Sequence, residues 1–117
     1  MKHPESDLQK AIINHLRTRS KPDVIFYSST QGIKMTAITA ITMKRLGMRS
    51  GIPDLELLIK DKIYFLEIKS VKGKLSPEQQ AFELHCNKWG IPYFVVRDIK
   101  TALQLLEGWG ALKGKSV

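Results

Sequence analysis

The chain has 117 residues, 43% of them hydrophobic and 26% charged, the balance of one soluble globular domain with a single core. That balance excludes a disordered chain, a collagen-like repeat and a coiled coil, and no apolar run approaches the ~20 residues of a membrane span. Nineteen Lys and Arg against eleven Asp and Glu leave a formal charge of +8, and a protein this basic is expected to meet a polyanion, nucleic acid foremost.

From Glu5 to about Arg19, Leu8, Ile12 and Leu16 recur every four residues, which predicts an amphipathic helix. Its start has two readings. Pro4 suits the first helical position, while Ser6 with Gln9 three residues on forms a capping-box pattern that leaves Glu5 just outside. Val24 to Ser28 is β-branched and aromatic, a strand pattern that Thr30-Gln31-Gly32 breaks. Met35 to Leu46, with its Thr36-Ala-Ile-Thr39-Ala-Ile-Thr42 repeat, is expected as a helix of weak propensity that Gly47 ends. Leu55 to Ile59 and Ile63 to Ile68 are apolar runs on either side of Lys60-Asp61-Lys62, a hairpin pattern. Ser76-Pro77-Glu78 caps and opens a helix to about Trp89, stopped by Gly90. Tyr93 to Val96 reads as a short strand, and Asp98 caps a helix through Leu106. A loose basic tail over about 110–117, Lys113 to Val117 above all, is expected to follow. The order predicts one α/β domain over 1–117, a small mixed sheet flanked by helices.

Side chains alternate faces along a strand, so Ile63, Phe65, Glu67 and Lys69 share a face that begins apolar and ends ionic. An acid and a base there are costly to hold unless paired or bound to a metal. With a two-residue turn at Asp61-Lys62, Asp54 is expected opposite Lys69 and diagonal to Glu67; Glu56, beside Asp54, is read as solvated. Two carboxylates so close suit Mg²⁺, or Mn²⁺ in its place, hard cations that prefer oxygen ligands. With a lysine beside them they form a constellation for phosphodiester hydrolysis. Singly, a Pro-Asp step is as well explained by a turn, and Glu-x-Lys by an edge ion pair. The combination is specific.

The remaining charge also has a pattern. No acid occurs between Asp23 and Asp54, while Lys34, Lys44, Arg45 and Arg49 do, and Lys72 and Lys74 follow the second strand of the hairpin. These are the candidates for phosphate contacts. Gln79 shares a helix face with Phe82, Cys86 and Trp89, an inward amide that needs a partner in the site or in the backbone of its own helix start. Tyr27, Tyr93 and Trp109 are read as strand and core residues rather than base-stacking ones. Cys86 is the one cysteine, and its neighbour His85 would point about 100° away on a helix, so neither an intramolecular disulfide nor zinc is expected. Met1-Lys2-His3-Pro4-Glu5 carries no apolar leader segment, and a cytoplasmic protein is expected.

Gly51-Ile52-Pro53-Asp54, Phe65-Leu66-Glu67-Ile68-Lys69 and Leu75-Ser76-Pro77-Glu78-Gln79 together resemble the VRR-NUC branch of the PD-(D/E)XK nuclease superfamily, with Ile52 where valine is usual. The resemblance covers nearly the whole chain, from the Glu5-x-x-x-Gln9 helix to the Val95-Val96-Arg97 strand and the helix after it. It implies a restriction-endonuclease-like core in which Asp54 and Glu67 are metal ligands, with the carbonyl of Ile68 a third. Lys69 would be the catalytic lysine, Gln79 the helix glutamine and Glu5 the acid of the first helix, a place for which Asp7 competes. It further implies a Mg²⁺-dependent, structure-selective DNA endonuclease, acting as a homodimer on branched DNA such as Holliday junctions, in the bacterial host cytoplasm if phage-encoded. The alternative is a non-catalytic DNA-binding module on a nuclease-like scaffold, which the intact Asp54, Glu67 and Lys69 oppose.

Overall fold

A computed structural model describes residues 3–29 and 36–114. They run as α1 (Pro4–Arg19), β1 (Val24–Ser28), α2 (Ala37–Arg45), β2 (Leu55–Ile59), β3 (Lys62–Ile68), α3 (Pro77–Trp89), β4 (Tyr93–Val96) and α4 (Ile99–Gly108). The sheet has the order β1-β2-β3-β4, antiparallel across the first two pairs and parallel between β3 and β4, where α3 makes the crossover. This is the small mixed sheet flanked by helices that the element order predicts. The break expected at Thr30-Gln31-Gly32, the helix start at Met35 and the cation Lys34 lie outside the described residues.

Local signals set the helix ends. α1 begins at Pro4, with Glu5 and Asp7 in its first turn and Arg17 and Arg19 in its last, as the helix dipole favours. Ser6 therefore sits inside the first turn rather than capping it, and Glu5 is helical. α3 carries a full capping box between Ser76 and Gln79, starts on Pro77 and stops at Gly90 in the left-handed conformation (φ 72). Asp98 caps α4 by accepting the Thr101 N–H at 2.8 Å, which holds its carboxyl below the usual range. α2 starts from Thr36 as its cap and buries no residue.

One face of the sheet carries most of the core. Val24 of β1, Leu55, Leu57 and Ile59 of β2, Leu66 and Ile68 of β3 and Val96 of β4 meet Ile12 and Leu16 of α1 and Leu103 and Leu106 of α4. Each such side chain contributes ~1.5–3 kcal/mol on burial, so this layer holds the fold together. The opposite face is only partly covered. α3 sets Phe82 edge-on to Phe65 at 5.1 Å and beside Tyr93 at 6.1 Å, leaving Ile25 58% and Ile63 40% exposed.

Two expectations are corrected. The hairpin turns at Lys60-Asp61, with Lys60 at φ 58, so that Leu55 pairs with Leu66 and Ile59 with Lys62. A shift of two residues keeps every side chain on its face, which is why alternation alone favours neither register. The C-terminal tail is also not loose as far as Gly114. Ala111 and Leu112 are buried, Leu112 bridges to Ser20, and Arg19 binds the carbonyls of Lys113 and Gly114 while pairing with Glu107 at 2.9 Å. An arginine fork has donors enough for all three. Residues 115–117 lie outside the described residues.

Gly51 ties the start of β2 to the start of α3. Its φ is +84, and a Cβ there would lie 2.6 Å from the carbonyl carbon of Glu78. Both the left-handed backbone and the close approach require glycine. Gly51→Ala is expected to lower stability by ~1–3 kcal/mol, the usual cost of such strain, read as a fall in melting temperature. An unchanged melting temperature would contradict the tight α3 contact.

Candidate active site

The register of the hairpin builds the site. Continuing the β2–β3 ladder one residue past Leu55 and Leu66 brings Asp54 opposite Glu67, not opposite Lys69. Asp54 Oδ2 accepts the backbone N–H of Ile68 at 2.7 Å. On an extended strand the N–H and C=O of one residue point the same way, so the Ile68 carbonyl also faces the Asp54 side. Glu67 is 1% exposed; its Oε1 accepts Gln79 Nε2 at 2.8 Å, while its Oε2 is buried with no donor. Gln79 Oε1 meanwhile accepts the Ser76 N–H at 2.8 Å. One amide thus serves both partners that the sequence allows: it closes the cap of α3 and holds Glu67 in place.

Burial pushes the Glu67 carboxyl up to about 8, the charge of Asp54 adds to the rise, and Lys69 opposes it. Asp54 is raised too, chiefly by burial, against the Ile68 N–H and the charge of Lys69. Both shifts favour the protonated form of Glu67 while no cation is bound. A hard cation would take that proton's place and satisfy the orphaned Oε2. The donor set fits: two carboxylates and a carbonyl, all oxygen. Among the described residues no group of three or more His, Cys, Asp and Glu stands ready to hold an ion. Mg²⁺ is suited to such a partial set, because it binds through one or two carboxylates and keeps water and substrate phosphate for the rest.

Glu5 lines the same cleft, of about 580 Å³, as Asp54 and Ile68, and its charge adds a last, smallest push upward on Asp54; Asp7 does not line it. Lys69 follows directly on β3, donates its backbone N–H to Val96 at 3.1 Å, and packs its side chain against Gly73, where a Cβ would stand 3.4 Å from Lys69 Cβ and Cδ. Arg97, which sequence reasoning did not single out, ties down that turn. Its guanidinium donates to the carbonyls of Ser70 at 2.6 Å and Gly73 at 2.7 Å. A lone arginine just past a strand end is the one trace of this in the sequence.

The expected phosphate contacts lie elsewhere. Lys44 and Arg45 are exposed on α2, and Lys72 and Lys74 are exposed on the loop after β3. Arg49 lines a separate apolar cleft with Phe65, Phe82 and Trp89. Lys34 is outside the described residues. The cations that share the cleft with Asp54 are Lys10 and Arg17 of α1, both missed although their spacing of seven places them on one helix face. Glu56 is half-buried rather than solvated. It pairs with Phe65 across the ladder and accepts the Tyr27 hydroxyl, which pushes that phenol up to about 12. Trp109 packs on Tyr64 at 4.7 Å, and Tyr93 is buried, as core roles require.

The family model for the VRR-NUC domain matches residues 3–98, a span that holds Glu5, Asp54, Glu67, Lys69, Gln79 and Arg97. The chain belongs to the VRR-NUC family. VRR-NUC domains are nucleases of the PD-(D/E)XK superfamily, with DNA as their substrate. A solved structure described as a VRR_NUC domain protein matches with a TM-score of 0.75 at 18% identity, over 99% of this chain and 95% of that one. Another, described as a VRR_NUC domain, matches with a TM-score of 0.63 at 23% identity, over 91% of this chain and 97% of that one. At such identities the likeness is one of fold. No curated protein matches the sequence.

The raised Glu67 carboxyl has a consequence for stability. It titrates at about 8 in the folded VRR-NUC domain against 4.5 ordinarily, so the metal-free fold binds the extra proton across that range and loses stability as pH rises through it. Glu67→Gln removes the loss. At pH 8.5 without metal the variant is expected to melt above the wild type, by about 4 °C per ~1 kcal/mol, with the gap closing near pH 4. Mg²⁺ is expected to raise the melting temperature of the wild type and leave that of the variant unmoved. A variant that melts below the wild type at both pH values would contradict this.

Proposed function

We propose that this VRR-NUC protein is a metal-dependent endonuclease that hydrolyses phosphodiester bonds in DNA, with Asp54, Glu67 and the carbonyl of Ile68 holding Mg²⁺, or Mn²⁺ in its place. The observation that carries this is the buried Glu67, apposed to Asp54 and with an oxygen that no donor satisfies, in a chain of net charge +8. When bound, the ion supplies Lewis acidity at the scissile phosphate and lowers the pKa of the attacking water. The chain's own residues aim the chemistry. The Ile68 N–H and Gln79 Nε2 fix the two carboxylates. Lys69, two residues past Glu67 on the same strand face, orients the nucleophile or steadies the charge that develops on the phosphate. Glu5 is the acid of the first helix, reaching the cleft from α1.

A single small core leaves little surface for base readout, so selectivity falls to DNA shape and backbone charge, with Lys34, Lys44, Arg45, Arg49, Lys72 and Lys74 as phosphate contacts. Branched DNA, a four-way junction above all, suits a homodimer, since two symmetric cuts need two sites. Exposed Ile38, Ile41 and Leu46 on and beside α2, and Ile25 and Ile63 on the uncovered sheet face, offer a second copy apolar surface to bury. The proposed setting is the cytoplasm; among the described residues no helix is long and apolar enough to cross a membrane.

Cleavage of labelled four-way junction, linear duplex and single-stranded DNA with Mg²⁺, Mn²⁺ or EDTA tests the proposal. Metal-dependent cutting of the junction is expected. Asp54→Ala and Lys69→Ala should each lower the rate by ~10²–10³-fold or more while DNA binding survives. Cutting of every substrate would keep the chemistry and remove the junction preference. Tight binding with no cutting under any condition would overturn the enzyme in favour of the non-catalytic DNA-binding module.

A further inference from the structure

We infer that the DNA strand being cut runs along α1, its phosphates gripped by Lys10 and Arg17 beyond the carboxylate end of the cleft. The inference rests on the nuclease reading of that cleft and adds the path of its substrate. The cleft has α1 as one wall, the end of β1 at Ser28 and Ser29 as another, and Asp54 and Ile68 at its carboxylate end. On α1, Lys10 and Arg17 are seven residues apart, which puts them within about 20° of one another and about 10 Å apart along the axis. Asn14 lies between them and also faces the cleft.

What distinguishes these two cations is that they line the cleft of Asp54 and are not neutralised there. Among the described residues, neither Lys10 nor Arg17 has a hydrogen bond or ion pair. Arg19, two residues on and turned to another side of the helix, is consumed by Glu107 and the carbonyls of Lys113 and Gly114. The acids nearest the α1 pair in the cleft are Glu5 and Asp54, at the end where the metal site lies. The cleft is therefore polarised: carboxylates at one end to hold a cation, and free cations along one wall to hold the polyanion that the cation attacks. A basic surface kept only for solubility has no reason to align its cations on the wall of that cleft. The acids and the cations together define a direction for the strand, from the scissile phosphate at Asp54 and Glu67 toward the C-terminal end of α1.

The test is the salt dependence of DNA binding, measured on the full chain in EDTA so that it does not depend on cutting. A Lys10→Ala/Arg17→Ala variant is expected to bind duplex DNA more weakly, with the slope of log K against log salt reduced by about 1.8, or 0.9 per lost phosphate contact. The exchange Lys10→Arg/Arg17→Lys should keep the wild-type slope, and Lys100→Ala on α4 should leave it unchanged. With Mg²⁺ present, the alanine variant's defect should appear as a raised KM. An alanine variant with the wild-type slope and KM would overturn the inference even where the wild type cuts. A wild type that never cuts, with the alanine variant still losing the slope, would overturn the nuclease reading and leave the path of the bound strand along α1 standing.

Discussion

The structure turns on one buried carboxylate. Glu67 is 1% exposed, sits in the middle of a small mixed sheet, and has a hydrogen bond to only one of its oxygens. Leaving such a group charged and unpartnered costs several kcal/mol, a large part of the 5–15 kcal/mol that keeps a domain folded. The fold manages this by arranging everything around it. The β2–β3 register supplies Asp54, the cap of α3 supplies Gln79, and Gly51 lets α3 come close enough for that amide to reach. Burial and the charge of Asp54 push the Glu67 carboxyl toward its protonated form, and the proposed hard cation would take the place of that proton.

The two faces of the sheet divide the labour accordingly. The α1 and α4 side is apolar and closely packed, and supplies the stability against which a costly site can be held. The α3 side is thin, with a few aromatic contacts around Phe82, and so it can admit Glu67 and Gln79, while Asp54 opens onto the cleft beside α1. Two arginines close what the core does not. Arg19 docks the C-terminal segment against α1, and Arg97 gathers the turn on which the Lys69 side chain rests. Both use the same property, a planar fork of donors that satisfies several carbonyls at once.

The charge of +8 and the acids of the site are two halves of one arrangement. Acids placed within a positive field attract cations weakly unless they are buried together, where mutual repulsion and desolvation make a divalent ion worth more than either proton or lysine. Cations on the outside then draw a polyanion toward a centre that would otherwise repel it. Asp54 and Glu67 on one side, and Lys10 and Arg17 on the other, are the local expression of that balance.

Much of this was legible in the chain. Period-four apolar residues, Ser76-Pro77 and Asp98 caps, and Gly90 mark the helices, because those signals act within one or two turns of backbone. Alternation along Ile63 to Lys69 places Glu67 among apolar neighbours and on the face of Asp54, because side-chain direction on a strand has period two. Which residue stands opposite which was not legible. A slip of two residues preserves both faces, and only the turn at Lys60-Asp61 decides that Asp54 meets Glu67. The same holds wherever distant segments meet: Gln79 serving its own cap and Glu67, Arg97 holding the turn beside Lys69, Arg19 docking the tail, α1 turning Lys10 and Arg17 to the carboxylates. The sequence by itself determined the elements, their faces and the kinds of group brought to one end of the sheet, since each follows from local backbone geometry. The tertiary structure alone decided the pairings, since these depend on how far apart in space residues remote in the chain come to rest.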